Sequence, residues 1–140
     1  MERIASFCVD HTTLEPGMYL SRRDGDIMTW DIRMKKPNQG DYPSPACAPT
    51  IEHLFATRAR NSRYGAHVIY VGPMGCLTGF YLLTQGLTDT EALDLVRECF
   101  AWMAEYDGPI PGASAPECGN YLMMDPIAAR AECRAMLPVL

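Results

Sequence analysis

Three short segments of the sequence carry side chains that could transfer protons or bind a metal. Glu52 and His53 are adjacent in PTIEHLFATRARN, Cys76 lies in GPMGCLTGFY, and Cys118 lies in PGASAPECGNYLMMD. Histidine and cysteine are the usual nitrogen and sulfur ligands of zinc and iron. Carboxylates and thiols with shifted pKa values are common general acids and bases. These residue types make the three segments candidates for one catalytic site.

The Glu52–His53 pair is predicted to lie on a helix that begins near Pro49 and extends to about Asn61, because proline is well tolerated at the first helical position. An apolar stripe at helical spacing supports this helix: Ile51, Leu54, Phe55 and Ala59. Adjacent helical residues diverge by about 100°, so Glu52 and His53 would lie at the edge of the stripe and could border one pocket. A solvated Glu–His pair is the alternative.

Cys76 follows two glycines, Gly72 and Gly75, in a segment between two β-rich apolar runs. Glycines permit a tight bend that exposes backbone N–H groups, and such groups can stabilise a thiolate. A purely structural turn cysteine is the alternative. Cys118 is expected in a loop, where a metal could reach it.

The remaining cysteines are expected to be free thiols. The chain has six scattered cysteines and no CxxC pair, and the N-terminus lacks the apolar stretch of a signal peptide. A cytosolic location is therefore expected, where disulfides are rare. Cys99 and Cys133 fall inside predicted helices and are interpreted as core fillers.

The predicted strands and helices that position these residues indicate an α+β fold, with a small mixed or antiparallel sheet packed against three to four helices. The residues at 1–140 are expected to form a single domain. The chain is predicted to begin with a hairpin of Met18–Leu20 and Ile27–Met34, followed by a loop over Lys35–Ala48 and the first helix. Two strands are then expected at His67–Val71 and Leu77–Leu83. Two further helices follow, one that begins at the capping box Thr88–Glu91 and one that begins at Asp125–Pro126.

Composition excludes several classes of function. The chain has 140 residues, 48% of them hydrophobic and 21% charged, with a net charge of −5. No basic surface is available to neutralise phosphates, so nucleic acid is not an expected partner. No apolar run approaches the ~18 residues of a membrane span, so no membrane partner is expected.

Taken together, the three segments resemble the LuxS family, the S-ribosylhomocysteine lyases. Two further segments, SFCVDHTTLEPGMYL and WDIRMKKPNQG, fit the same family. The resemblance extends from about Ser6 to beyond Asp125. Five separated matches in one order are not expected by chance.

The resemblance implies a homodimer with two active sites at the subunit interface. It also implies one Fe(II) or Zn(II) per subunit, held by two histidines of a His-x-x-Glu-His helix and one distant cysteine. His53 matches the second histidine and Cys118 the cysteine. Glu52 and Cys76 match the catalytic acids and bases. Three further residues match positions that line the substrate pocket: Ser6, His11 and Arg33.

The implied substrate is S-ribosylhomocysteine. In the implied reaction the metal polarises a carbonyl that moves along the ribose in two aldose–ketose shifts, and β-elimination then expels homocysteine. The other product, 4,5-dihydroxy-2,3-pentanedione, is the precursor of the quorum-sensing signal autoinducer-2.

One position departs from the implied metal motif. The first histidine should lie four residues before His53, on the same helical face, but Pro49 occupies that position and has no ligand atom. Three explanations stay open. Cys47 could supply a substitute thiolate from a flexible loop, the site could be weakened but active, or the protein could be a catalytically silent homologue with a ligand-binding or regulatory role.

Overall fold

The computed structural model describes residues 1–140 as one antiparallel sheet and three α-helices. The elements are β1 Gly17–Asp24, β2 Ile27–Arg33, α1 Cys47–Arg60, β3 Val68–Pro73, β4 Gly79–Gln85, α2 Asp89–Glu105 and α3 Pro126–Met136. The strand order is β1-β2-β4-β3, and every neighbouring pair is antiparallel. The predicted α+β class is confirmed, and the sheet is entirely antiparallel.

The predicted hairpin is confirmed as β1 and β2, whose last pair before the turn is Asp24 with Ile27. Gly25 has a φ of +63°, a conformation that glycine adopts without steric cost. Along β2, Met28, Trp30 and Ile32 are buried in the core, as the two-residue alternation predicts. The intervening residues of β2 therefore face the opposite side of the sheet.

The hydrophobic core lies between one face of this sheet and the helices. The predicted apolar stripe of α1 is buried there, and Phe55 packs edge-on against Phe100 of α2 with ring centroids 5.4 Å apart. Cys99 and Cys133 are fully buried in the same cluster, which confirms their interpretation as core fillers. The structure has no helix that could cross a membrane.

The helix starts follow the capping signals, with one correction. Thr88 and Glu91 form the predicted capping box of α2, and the Asp125 carboxylate accepts a hydrogen bond at the start of α3. Helix α1, however, begins at Cys47, so Pro49 is its third residue rather than its first. Since N–H groups of the first helical turn have no intrahelical acceptor, proline costs no hydrogen bond at this position either.

The second face of the sheet is not covered by the helices. An open depression of about 480 Å³ lies over it and is lined by no residue of α1, α2 or α3. Its walls include Tyr70, Tyr81 and Leu83 from the sheet and Ile4 and Ser6 from the N-terminal segment. Tyr70 on this face is 51% exposed, whereas Tyr81 and Leu83 are half-buried.

Candidate active site

A cleft on the uncovered side of the sheet brings together four of the predicted site residues. Ser6 and His11 come from the N-terminal segment, Arg33 ends β2, and Cys76 lies in the β3–β4 turn. The cleft has a volume of about 360 Å³. The pairing of Arg33 with Gly79 in the β2–β4 ladder holds the turn beside the end of β2.

Arg33 is the most buried polar residue of this cleft. It is only 2% exposed, and its partner Asp31 is 5% exposed. The guanidinium donates two hydrogen bonds to the Asp31 carboxylate, from Nη2 to Oδ2 at 2.6 Å and from Nε to Oδ1 at 3.1 Å. This two-point contact fixes the plane of the guanidinium as well as its position.

Cys76 lies next to the Arg33 side of this ion pair, and its Sγ atom is 3.0 Å from the Oγ1 atom of Thr78. Nη1 of Arg33 donates to the same Oγ1 at 2.6 Å and lies 3.9 Å from Sγ. Partial burial favours the neutral thiol, but hydrogen bonds from Thr78 and the charge of Arg33 outweigh that effect and lower the pKa of Cys76. Thiolate, the form that accepts protons, is thereby favoured.

The bend that presents Cys76 does not depend on the glycines that the sequence suggested. Gly72 and Gly75 both have ordinary φ angles, whereas Leu77 adopts the left-handed conformation with a φ of +61°. Glycine is instead required at Gly79, where a Cβ atom would lie 2.2 Å from the carbonyl oxygen of Ile32. The close approach of β2 and β4 therefore needs a residue without a side chain.

The imidazole ring of His53 is held in place by a backbone carbonyl group. Its Nδ1 atom lies 2.7 Å from the carbonyl oxygen of Pro111, so a proton on Nδ1 is donated there. Nε2 then carries the free lone pair that a metal needs. Sequence reasoning missed this support, although the Pro111–Gly112 dipeptide marks a turn. Gly112 has a φ of +70°, and a Cβ atom there would lie 3.2 Å from Nδ1.

Glu52, His53 and Cys118 are all half-buried, but none of them lines the cleft that contains Cys76. No three histidine, cysteine or acidic side chains of this chain are arranged to hold a metal ion. The predicted site residues therefore fall into two groups in a single chain. Four of them line the cleft on the open face of the sheet, whereas Glu52 and His53 lie on α1 and Cys118 lies in the loop between α2 and α3, outside that cleft.

The ligand set of the implied metal is incomplete in this chain. Pro49 lies one turn before His53 on α1 and offers no donor atom. The idea of Cys47 in a flexible loop is wrong, because Cys47 is the first residue of α1 and is fully buried. Burial, with Glu132 and Asp125 nearby, raises the pKa of Cys47 to about 12, which opposes the thiolate form. The residues present do not fit a site with three protein ligands.

The family of this chain is identified by comparison with known proteins. A family model described as S-ribosylhomocysteinase (LuxS) matches residues 4–139, nearly the full length. The chain belongs to the LuxS family. The range matched by the LuxS model contains the cleft residues, His53, Pro49 and Cys118.

Several relatives of this LuxS protein are named S-ribosylhomocysteine lyase. One from Clostridium acetobutylicum is 50% identical over 131 residues, covering 89% of this chain and 83% of the relative. One from Desulfotalea psychrophila is 49% identical over 140 residues, covering 94% and 87%. One from Phocaeicola vulgatus is 44% identical over 131 residues, covering 89% and 81%.

The buried ion pair should dominate the stability of the cleft. Replacing Asp31 by asparagine leaves the Arg33 charge buried without a counter-charge, so we expect Asp31→Asn to lower the free energy of unfolding by about 3 kcal/mol or more. Asp24→Asn is the matched control. It removes an ion pair to Arg22 that is largely exposed, and we expect a loss below about 1 kcal/mol. Urea denaturation measures the free energy of unfolding of both variants. Equal decreases in the two variants would contradict a dominant role of the buried ion pair.

Proposed function

We propose that this protein is an S-ribosylhomocysteine lyase, a carbon–sulfur lyase that releases homocysteine and 4,5-dihydroxy-2,3-pentanedione, the autoinducer-2 precursor. Membership of the LuxS family and relatives that carry this name support the assignment. The observation that carries it is the Cys76 thiol, which lies in an open cleft beside a buried arginine and has a lowered pKa.

Cys76 is proposed as one acid–base group of the reaction. Each aldose–ketose shift removes a proton from one ribose carbon and returns a proton to the neighbouring position. The thiolate takes the proton, Arg33 offsets the negative charge beforehand, and the resulting thiol returns it. Glu52 is proposed as the second group. In the last step, loss of a proton from carbon is accompanied by cleavage of the C–S bond, and homocysteine leaves as a thiolate that is then protonated.

Ser6, His11 and Arg33 are proposed to bind the substrate. All three line the cleft around Cys76, where their polar groups can bind the hydroxyls of a ribose. The Nδ1 atom of His11 is 2.9 Å from the carbonyl oxygen of Val9, which orients the ring and leaves Nε2 for a ligand. The cleft is open enough to admit a sugar from solvent.

Proteins of the LuxS family are generally metal-dependent. We propose His53 and Cys118 as the two protein ligands of an Fe(II) or Zn(II) ion, one per subunit, with solvent at the position that Pro49 leaves without a donor. A two-ligand site binds a divalent ion more weakly than the usual three-ligand site.

A homodimer is proposed to join the two groups of site residues. The open sheet face and the cleft are continuous, since Ser6 and Tyr81 line both. A second copy on this face would bury its exposed apolar side chains, including Tyr70, and could bring Glu52 and His53 to the cleft of the first. The proposed unit is thus two single-domain chains of residues 1–140 with two shared sites.

We further propose a cytosolic location. All six cysteines are free in the structure, and Cys8 and Cys76 are exposed. Free thiols in this number are typical of proteins in a reducing compartment.

The first test concerns Glu52. Glutamine keeps the shape of this side chain but cannot hold the transferred proton, so Glu52→Gln should slow homocysteine release from S-ribosylhomocysteine by about 10²-fold or more. Chromatographic detection of homocysteine measures the rate. Glu105→Gln, on an exposed carboxylate of α2, is the control and should leave the rate unchanged. No release by the wild-type protein would overturn the proposed function, and normal release by Glu52→Gln would overturn only the role of Glu52.

The second test concerns Pro49. Pro49→His places a nitrogen ligand one helical turn before His53, so the purified protein should retain clearly more iron or zinc than the wild type. Elemental analysis after dialysis measures metal per chain. Pro49→Ala is the control, because it removes the proline without adding a ligand. Equal metal content in the two variants would show that the missing donor at this position does not limit binding.

The third test concerns the shared site. If Cys76 and Glu52 act from different subunits, two inactive variants, Cys76→Ala and Glu52→Gln, should complement each other. Random mixing by refolding gives half heterodimers with one intact site each, so about a quarter of the wild-type rate should return. Each variant refolded alone is the control. A mixture no more active than its components would place both residues in one chain's site.

A further inference from the structure

The Thr78 side chain connects the Cys76 thiol to the buried ion pair. Its hydroxyl lies 3.0 Å from Sγ of Cys76 and 2.6 Å from Nη1 of Arg33. Thr78 is only 3% exposed, so water does not compete for these bonds. The direct contact between Arg33 and Cys76 is longer, at 3.9 Å. The hydroxyl is therefore the nearest polar group between the guanidinium and the sulfur.

The direction of these hydrogen bonds follows from what each group can donate. A guanidinium is a donor only, so the Thr78 oxygen must accept from Arg33. The single hydroxyl proton is then free to point at Sγ. A donor at this position favours the charged thiolate over the neutral thiol. Contact with a cation strengthens the bond that the hydroxyl donates, because hydrogen bonds in a chain polarise one another.

The backbone holds Thr78 in place independently of its side chain. Its carbonyl oxygen accepts hydrogen bonds from the N–H groups of Met34 at 2.9 Å and Lys35 at 3.0 Å, just after β2. The next residue, Gly79, begins the ladder with β2. Removal of the hydroxyl should therefore leave the β3–β4 turn, and Cys76 within it, where they are.

The other titratable groups around Cys76 make no direct bond to its sulfur. Asp31 contacts the far side of Arg33, and Tyr81 of β4 and His11 of the N-terminal segment line the same cleft. Burial and the charge of Asp31 raise the pKa of Tyr81, so its phenol stays neutral in the neutral range. Among these neighbours, Thr78 alone touches both the sulfur and its counter-charge.

We propose that Thr78 is a positioning residue that couples the buried Asp31–Arg33 pair to Cys76 and holds the thiolate ready for proton transfer. The catalytic meaning of this role rests on the proposed lyase function. The coupling itself is a property of the folded chain and can be tested without turnover.

The test compares Thr78→Val, which keeps the shape and removes the hydroxyl, with Thr78→Ser, which keeps the hydroxyl. The rate of Cys76 alkylation by iodoacetamide is measured against pH, with the modified peptide quantified by mass spectrometry to separate it from exposed Cys8. Loss of one hydrogen bond to the thiolate should raise the midpoint of the alkylation profile of Thr78→Val by about one pH unit. Alkylation of this variant at neutral pH should therefore be about tenfold slower. Thr78→Ser should retain the wild-type profile. Circular dichroism checks that each variant is folded.

An unchanged midpoint in folded Thr78→Val would overturn the proposal, as would a Thr78→Ser profile that shifts as far as that of Thr78→Val. If Thr78→Val does not fold, the alkylation profiles of the wild type and of Thr78→Ser test the proposal. Both should have midpoints below the ordinary cysteine value of about 8.5, and a midpoint at that value contradicts the coupling. Profiles that behave as expected in a protein that releases no homocysteine would overturn the lyase assignment and leave the coupling intact.

Discussion

The arrangement of the cleft depends on one interaction, the buried ion pair between Asp31 and Arg33 at the end of β2. Removing two charges from water is costly, and the cost is offset only when geometry and hydrogen bonding are nearly complete. Here the carboxylate takes two of the guanidinium's hydrogen bonds and Thr78 takes another. The guanidinium is therefore fixed before any substrate arrives, and the Cys76 thiol lies beside a positive charge that does not have to move.

The alternation of strand residues explains why one chain presents only part of the proposed site. Successive side chains of β2 point to opposite faces of the sheet, so Trp30 and Ile32 pack against the helices. Arg33 lies on the other face, where it lines the cleft, and Asp31 is paired with it there. Helix α1 packs on the core side and carries His53. Neither His53 nor Cys118 lines the cleft, and the proposed second copy on the open face offers a way to bring them to it.

Pro49 occupies one position of the proposed ligand set without disturbing the fold of α1. In the first turn of α1 the missing N–H has no intrahelical partner, so the proline is accommodated and the stripe that begins at Ile51 stays buried. Proline offers no donor atom to the proposed metal site on one face of the helix, and the core on the other face is intact. The fold and the proposed ligand set therefore depend on different residues of the same helix.

Local patterns in the sequence were sufficient for the type and order of the elements, because hydrophobic periodicity, caps and turns act over a few residues. They predicted the hairpin, the stripe of α1, the capping box at Thr88 and the fillers Cys99 and Cys133, and similarity to a family added the candidate residues. Only the tertiary structure showed the burial of Arg33, the place of Thr78 between Arg33 and Cys76, the support of His53 by Pro111, and Cys47 inside α1. Most of these features depend on contacts between segments distant along the chain, and their energies depend on burial and on atomic distances that no local pattern contains.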